Sequence, residues 1–120
     1  MADFKNLRVW HAAQQLALDA HLISASLRGP GTASLRDQLV RAAMSIPINI
    51  VEGTAHTSSR EFLRFLGYAL ASTSEVEGHT RLAGSLQLIS ESDSKRLLNG
   101  VETVRKMLHG LIKGVKQRPQ

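Results

Sequence analysis

The sequence predicts an all-α protein in which four helices form an antiparallel, up-down-up-down bundle. Apolar residues recur every three or four positions in four successive segments, which is the spacing of one buried helix face. Aromatic residues make up only 4% of the chain, so its core is expected to consist of aliphatic side chains, as in helical bundles. The connections between the four segments are short, and short connections place consecutive helices antiparallel.

The first two predicted helices span residues 7–28 and 35–53. Asn6 is a candidate N-cap of the first helix, which a Gly-Pro-Gly sequence then ends. Ser34 is a candidate N-cap of the second helix. Pro47 lies inside the apolar pattern of the second helix, where it removes a backbone donor, so we expect a bend there.

The last two predicted helices span residues 59–87 and 92–116. Ser58 is followed three residues later by Glu61, and Ser90 is followed in the same way by an aspartate. This spacing is the capping-box pattern, in which the serine hydroxyl accepts a hydrogen bond from the backbone of the first helical turn. Both serines are therefore predicted to mark helix starts.

Length and composition indicate a single domain over residues 1–120. A chain of this length forms one core but has no room for a separate catalytic module. Its content of 42% hydrophobic and 21% charged residues is typical of a folded globular protein. The absence of cysteine excludes disulfides, thiolate metal sites and a cysteine nucleophile. With no leader-like or membrane-spanning run in the sequence, we expect a cytoplasmic protein.

The positive charge of the chain is concentrated at one end. The formal net charge is +5, but residues 94–120 carry seven basic and one acidic side chain, and residues 1–93 are close to neutral. On a helix that turns about 100° per residue, three of these lysines, Lys95, Lys106 and Lys113, lie almost opposite the apolar seam. Such a row can bind phosphates independently of sequence, although it can also be a solvated face whose cations favour a helix C-terminus. The candidate nucleic-acid contacts are Lys95, Arg96, Arg105, Lys106, Lys113 and Lys116.

Polar residues form a stripe on each of the second and third predicted helices. Because polar groups between packed helices need partners and can define register, these stripes predict a structural network or a subunit interface. One hypothesis pairs Arg41 with Glu75. The stripes consist of Arg41, Ser45, Asn49 and Glu52 on the second helix and of Ser72, Glu75 and His79 on the third.

Catalytic and metal-binding alternatives have less support. Glu52 with His56, and Glu75 with His79, are two Glu/His pairs, and helical bundles can hold di-iron centres with such side chains. Both pairs are spaced i, i+4, whereas the di-iron arrangement uses i, i+3. The sequence also lacks a P-loop, a nucleophile elbow and an H-E-x-x-H motif. We therefore expect no metal, no cofactor and no enzyme activity.

Several motifs resemble one protein family. The segment SIPINIVEG at residues 45–53, followed by Glu61 and Glu75, resembles the four-helix-bundle proteins encoded within intervening sequences of bacterial 23S ribosomal RNA genes. The opening F-x-x-L-x-V-W at residues 4–10 and the segment MLHGLIKGV at residues 107–115 are similar to that family as well. The resemblance covers nearly the whole chain, although the loop Thr54–Thr57 departs from the family pattern.

The resemblance implies a small bundle that assembles as a ring-like homopentamer without established catalysis. It also implies kinship with the accessory protein of diversity-generating retroelements, a pentameric bundle that binds a reverse transcriptase and nucleic acid. We therefore expect a non-enzymatic homo-oligomer that binds RNA or DNA electrostatically as a scaffold or accessory factor. The alternative is a protein-interaction module that recruits a partner such as a reverse transcriptase, with nucleic-acid contact incidental.

Overall fold

Helices account for nearly all of the ordered secondary structure. The structure, a computed structural model, describes residues 3–27, 29–56 and 58–118, and within these ranges it contains no strand. A short 3-10 turn at the start is followed by four α-helices. The all-α prediction is therefore confirmed. The helices are α1 (Arg8–Ser24), α2 (Ala33–Thr54), α3 (Ser59–Ser85) and α4 (Glu91–Lys116).

The four helices form an elongated bundle that measures 51 × 20 × 20 Å. Each helix packs against the next one along the chain, and α1 also packs against α4. The space between them is filled by aliphatic side chains from all four helices, as the low aromatic content predicts. Each fully buried Leu, Ile or Val contributes about 1.5–3 kcal/mol to folding. The largest of these buried side chains include Leu16, Leu39, Ile46, Ile50, Leu66, Leu97 and Leu108.

The start of α1 differs from the prediction. Asn6 belongs to a 3-10 turn in which its backbone N–H donates to the carbonyl of Asp3 at 3.0 Å. Leu7 occupies the N-cap position, and no side chain caps the helix, so the predicted cap at Asn6 is wrong. At its other end α1 stops at Ser24, earlier than predicted. The predicted last residue, Arg28, lies outside the described residues.

The second helix also begins earlier than predicted. Thr32 is the N-cap of α2, so Ser34 lies inside the helix and the predicted cap at Ser34 is wrong. The hydroxyl of Thr32 donates to the carbonyl of Gly29 at 2.9 Å, and its own carbonyl accepts from Arg36 N–H at 2.9 Å. Helix α2 continues through the buried Pro47 to Thr54. Within the described ranges, no helix is both long and apolar enough to cross a membrane.

The predicted serine caps of α3 and α4 are confirmed. Ser58 Oγ accepts from Glu61 N–H at 3.1 Å, and Ser90 Oγ accepts from Asp93 N–H at 3.0 Å. Each bond satisfies one backbone donor that the first helical turn leaves without an intrahelical partner. The end of α3 is two residues earlier than predicted. Gln87 has φ 59°, in the left-handed region, and therefore cannot continue the helix.

Candidate nucleic-acid interface

The exposed side of α4 carries a row of lysines. We call Lys95, Lys106, Lys113 and Lys116 the lysine row, and all four are exposed. They lie away from the buried seam of α4, as the helical spacing predicts. In the part of the chain that the structure describes, none of the four forms a salt bridge. Their charges therefore face solvent without an internal counterion.

Arg105 connects α4 to α3 rather than standing free beside the lysine row. Its Nη2 lies 2.6 Å from Glu77 Oε1, and its Nη1 lies 2.7 Å from Glu102 Oε1. Only 26% of its side chain is exposed. The hydrogen bond from Arg105, together with one from Arg81, lowers the pKa of the Glu77 carboxyl below its ordinary value. Arg105 thus contributes primarily to helix packing.

Arg96 forms a second cross-link, between α4 and α1. Its Nη2 lies 2.9 Å from Oδ1 of Asp19, whose side chain is only 11% exposed. The amide of Gln15 donates a further hydrogen bond to the same oxygen at 3.1 Å. Two of the six predicted nucleic-acid contacts therefore have acidic partners on neighbouring helices. Sequence reasoning missed both pairs because no local spacing links Arg96 to Asp19 or Arg105 to Glu77.

The structure adds one cation that the sequence did not indicate. Arg8, at the exposed start of α1, lines the same surface depression as Lys106 and Gly110 of α4. Because α1 and α4 pack side by side, residues from opposite ends of the chain meet here. No local pattern in the sequence could have identified Arg8, since its position depends on how the first and last helices pack. The basic surface thus extends from α4 onto α1.

Because Glu77 pairs with Arg105, we expect its contribution to the free energy of unfolding to depend on pH. At pH 7, Glu77→Gln is expected to lower the free energy of unfolding by about 1 kcal/mol, because it removes a charge-assisted bond that is partly shielded from water. A carboxyl whose pKa is lowered by folding stabilises the fold above its unfolded pKa of about 4.3. That contribution is lost as the pH falls through the lower, folded pKa.

Urea unfolding of Glu77→Gln and of the unsubstituted protein at pH 7 and pH 3 measures this effect. The difference between the two proteins should be smaller at pH 3, because this pH lies below the unfolded pKa and a carboxyl with a lowered folded pKa stabilises the fold less there. Glu102→Gln is a matched control, since Glu102 binds the same arginine but its side chain is 59% exposed. Glu102→Gln should therefore lower the free energy of unfolding less than Glu77→Gln does. An equal cost for both variants, or a Glu77→Gln cost that does not change with pH, would contradict this interpretation.

The polar stripes of α2 and α3 meet at one point. The hydroxyls of Ser45 and Ser72 hydrogen bond to each other and connect the two helices. Asn49 Nδ2 donates to the backbone carbonyl of Ser45 at 2.8 Å. Ser72 is buried, so this contact lies within the α2–α3 packing, whereas Glu52 is exposed to solvent. The structure thus brings together the small polar residues but not the charged ones.

The hypothesised pair between Arg41 and Glu75 does not form within the chain. No salt bridge joins these two residues, both of which belong to the described ranges. Arg41 lines a groove between α1 and α2, and its Nη2 donates to Gln38 Oε1 at 3.3 Å. Both Arg41 and Glu75 are exposed. An intrachain role in joining α2 to α3 is therefore wrong for this pair.

The Glu/His pairs do not converge in the structure. Among the described residues, no three His, Asp or Glu side chains lie close enough together to hold a metal ion. His56 instead stacks on Phe65, with ring centroids 5.1 Å apart. Arg64 lies over the same phenyl ring, 4.9 Å from its centroid. The end of α2 and the start of α3 are thus joined by aromatic packing.

Comparisons with known proteins agree with this architecture. The family model of the 23S rRNA-intervening sequence protein matches residues 5–110. Among solved structures, the fold is similar to a protein of unknown function from the S23 ribosomal protein family of Bacteroides thetaiotaomicron. That similarity has a TM-score of 0.81 and 23% identity over 88% of this chain and 98% of the other. A search of curated proteins found no match. The chain belongs to the 23S rRNA-intervening sequence protein family.

Proposed function

We propose that this protein is a non-enzymatic, homo-oligomeric bundle of antiparallel, up-down-up-down helices that binds RNA or DNA through the lysine row. In this proposal it acts as an electrostatic scaffold or accessory factor. The observation that carries the proposal is a face of α4 with four exposed lysines and, in the described part of the chain, no salt bridge to any of them. Arg8 beside Lys106 extends the same positive surface.

The dimensions of the lysine row suit a nucleic-acid backbone. From Lys95 to Lys116 the row extends about 32 Å along the helix axis. A duplex presents one phosphate charge per about 1.7 Å of its axis, so several phosphates lie within reach of these side chains. In a ring of five copies, as the family resemblance implies, the row would be repeated and its field enlarged.

The chemistry of this surface favours binding without sequence preference. Lysine is a flexible point charge that contacts phosphate, whereas recognition of specific bases depends on planar groups such as the arginine guanidinium or on aromatic stacking. Helix α4 contains no phenylalanine, tyrosine or tryptophan on which a base could stack. Binding should therefore depend strongly on salt and weakly on sequence.

Charge reversal on the lysine row tests the proposal. Lys106→Glu combined with Lys113→Glu is expected to weaken binding to a short RNA or DNA about 100-fold at low salt, because attraction at two positions becomes repulsion. The slope of log affinity against log salt should also become shallower by about 2, or roughly 0.9 for each duplex phosphate contact that is lost. Filter binding at a series of salt concentrations measures both quantities.

A matched pair of substitutions separates a local site from a general charge effect. Arg60→Glu combined with Arg64→Glu changes the net charge equally, but both residues lie on the exposed surface of α3, where Arg64 pairs with Glu61 of the same helix. This control should retain most of the affinity and nearly the whole salt slope. Equal losses in the two variants, or unchanged affinity after reversal of the lysine row, would contradict a binding site on α4.

A second candidate function is the recruitment of a protein partner such as a reverse transcriptase. It is favoured by large apolar side chains on α1 and α2 that are about half exposed, since clusters of this kind mark protein-binding surfaces. In that case contact with nucleic acid would be incidental. Failure of the unsubstituted protein to bind RNA or DNA even at low salt would favour this alternative.

A further inference from the structure

An apolar groove lies on the surface between α1 and α2. Leu18 and Leu22 of α1 are 49% and 66% exposed, and Met44 and Ile48 of α2 are 53% and 54% exposed. The groove has a volume of about 570 Å³ and includes Leu18, Met44 and Ile48 in its lining. Arg41 lines its continuation along α2. We call this surface, with its apolar side chains and Arg41, the α1–α2 groove.

A narrow apolar ridge lies on α3. Tyr68 and Leu82 of α3 are 45% and 50% exposed, and Leu86, just after the helix, is 55% exposed. Tyr68, Glu75 and Leu82 are spaced seven residues apart, so their positions lie on one face of the helix. From Tyr68 to Leu86 this α3 ridge extends about 27 Å. It is thus a slender, elongated feature with an acidic residue at its middle.

The groove and the ridge have complementary charges. Arg41 and Glu75 are both exposed, and neither has a salt-bridge partner in the described ranges. The groove is also lined by Arg36 and by one acidic residue, Asp37. Glu75, flanked by the apolar positions of the ridge, has the charge opposite to Arg41. Both halves of a complementary contact are therefore present on one chain.

We infer that the α1–α2 groove of one copy of this chain binds the α3 ridge of a second copy, with Arg41 of the first paired to Glu75 of the second. This inference rests on the self-association proposed above and identifies its surfaces. The contact would bury apolar side chains that are now exposed to water, which is the main favourable term in association. It also supplies each of the two charges with a partner.

The two surfaces differ, so the contact between copies is heterologous. Each copy then uses its groove for one neighbour and its ridge for the other, which generates a ring when the rotation closes and a filament when it does not. The groove is lined by residues of α1 and α2, whereas the ridge belongs to α3 and the residue just after it.

Complementation between two assembly variants tests this geometry. The groove variant carries Met44→Lys and Ile48→Glu, and the ridge variant carries Leu82→Lys and Leu86→Glu, so neither changes the net charge. All four positions are about half exposed or more, and circular dichroism with urea unfolding would verify that both variants fold. By light scattering, each variant alone should be monomeric at concentrations where the unsubstituted protein is assembled.

An equimolar mixture of the two variants should form a heterodimer and no larger species. The groove variant retains an intact ridge, and the ridge variant retains an intact groove. These two intact surfaces can bind each other, whereas the two substituted surfaces cannot. If the ridge variant alone remains fully assembled, the groove does not bind the ridge and the inference is wrong. If both variants assemble like the unsubstituted protein, the assigned surfaces are wrong while self-association stands. A monomeric unsubstituted protein would contradict self-association itself.

A charge swap tests the proposed ion pair independently of the apolar contact. Arg41→Glu and Glu75→Arg should each weaken assembly about tenfold or more, because each places like charges against each other. The double variant should recover most of the lost association. If the double variant assembles no more tightly than the single variants, Arg41 and Glu75 do not pair between copies. Nucleic-acid binding through the lysine row is measured separately and does not depend on this outcome.

Discussion

Replacement of Gly53 with valine is expected to lower the free energy of unfolding by about 3 kcal/mol. Gly53 lies near the end of α2, where the helix passes close to the start of α3. A Cβ atom at this position would lie 2.9 Å from Phe62 Cδ1 and 3.1 Å from Phe65 Cβ. Phe62 is only 2% exposed, so its ring is held by the surrounding core and has little freedom to move away. Glycine here permits the close approach of α2 and α3.

Gly67→Ala is the matched control for Gly53→Val. Gly67 lies inside α3, and a Cβ atom at that position would have no neighbour within 4 Å. Its replacement should raise stability by about 0.5–1 kcal/mol, because alanine is the better helix former. Urea unfolding at a fixed protein concentration measures both variants, since self-association would otherwise shift the midpoint. A neutral or stabilising Gly53→Val would contradict the close approach.

Leu16→Ala is expected to have a comparable effect, a loss of about 3 kcal/mol. Leu16 belongs to α1, is only 1% exposed and lies in the common core of the bundle. Its truncation removes buried methyl groups and leaves a cavity that rigid neighbouring helices fill only in part. The loss of stability should appear as a lower midpoint of urea unfolding, while the dependence of the unfolding free energy on urea concentration stays unchanged.

The effect of Leu16→Ala should depend on the residue at position 100. A Cβ atom on Gly100 of α4 would lie 2.9 Å from Leu16 Cδ1, so Gly100→Ala should destabilise the unsubstituted protein by about 1 kcal/mol. In the Leu16→Ala background that space is empty, and the same change should be stabilising. A double-mutant cycle is therefore expected to show a coupling of about 1–2 kcal/mol. Additive effects would show that α1 and α4 do not meet at this pair.

The four helices and the aliphatic core could be predicted from the sequence because their causes are local. Apolar spacing depends on residues three and four positions apart, and the caps at Ser58 and Ser90 depend on the backbone of the next turn. The starts of α1 and α2 could not be located in this way. Asn6 and Ser34 have suitable side chains, but a 3-10 turn includes Asn6, and Thr32 lies at the N-cap of α2.

The exposed face of α4 was also predictable, since all its lysines belong to one helix and the helical repeat places them together. Whether the arginines of α4 form ion pairs could not be predicted from the sequence. Arg105 binds Glu77 of α3 and Arg96 binds Asp19 of α1, and both pairs join residues that are distant in sequence. Only the packing of the helices determines whether such a cation is paired or free.

By itself, the sequence determined the helical class, the aliphatic composition of the core and the location of the excess positive charge. These properties follow from composition and from periodicity within single helices. The tertiary structure alone decided that Arg8 lies beside Lys106, that the missing side chain of Gly53 lets α2 and α3 approach closely, and that Arg41 and Glu75 form no salt bridge within the described ranges. Each of these depends on which helices are neighbours and how closely they approach, and interactions over a few residues do not determine that.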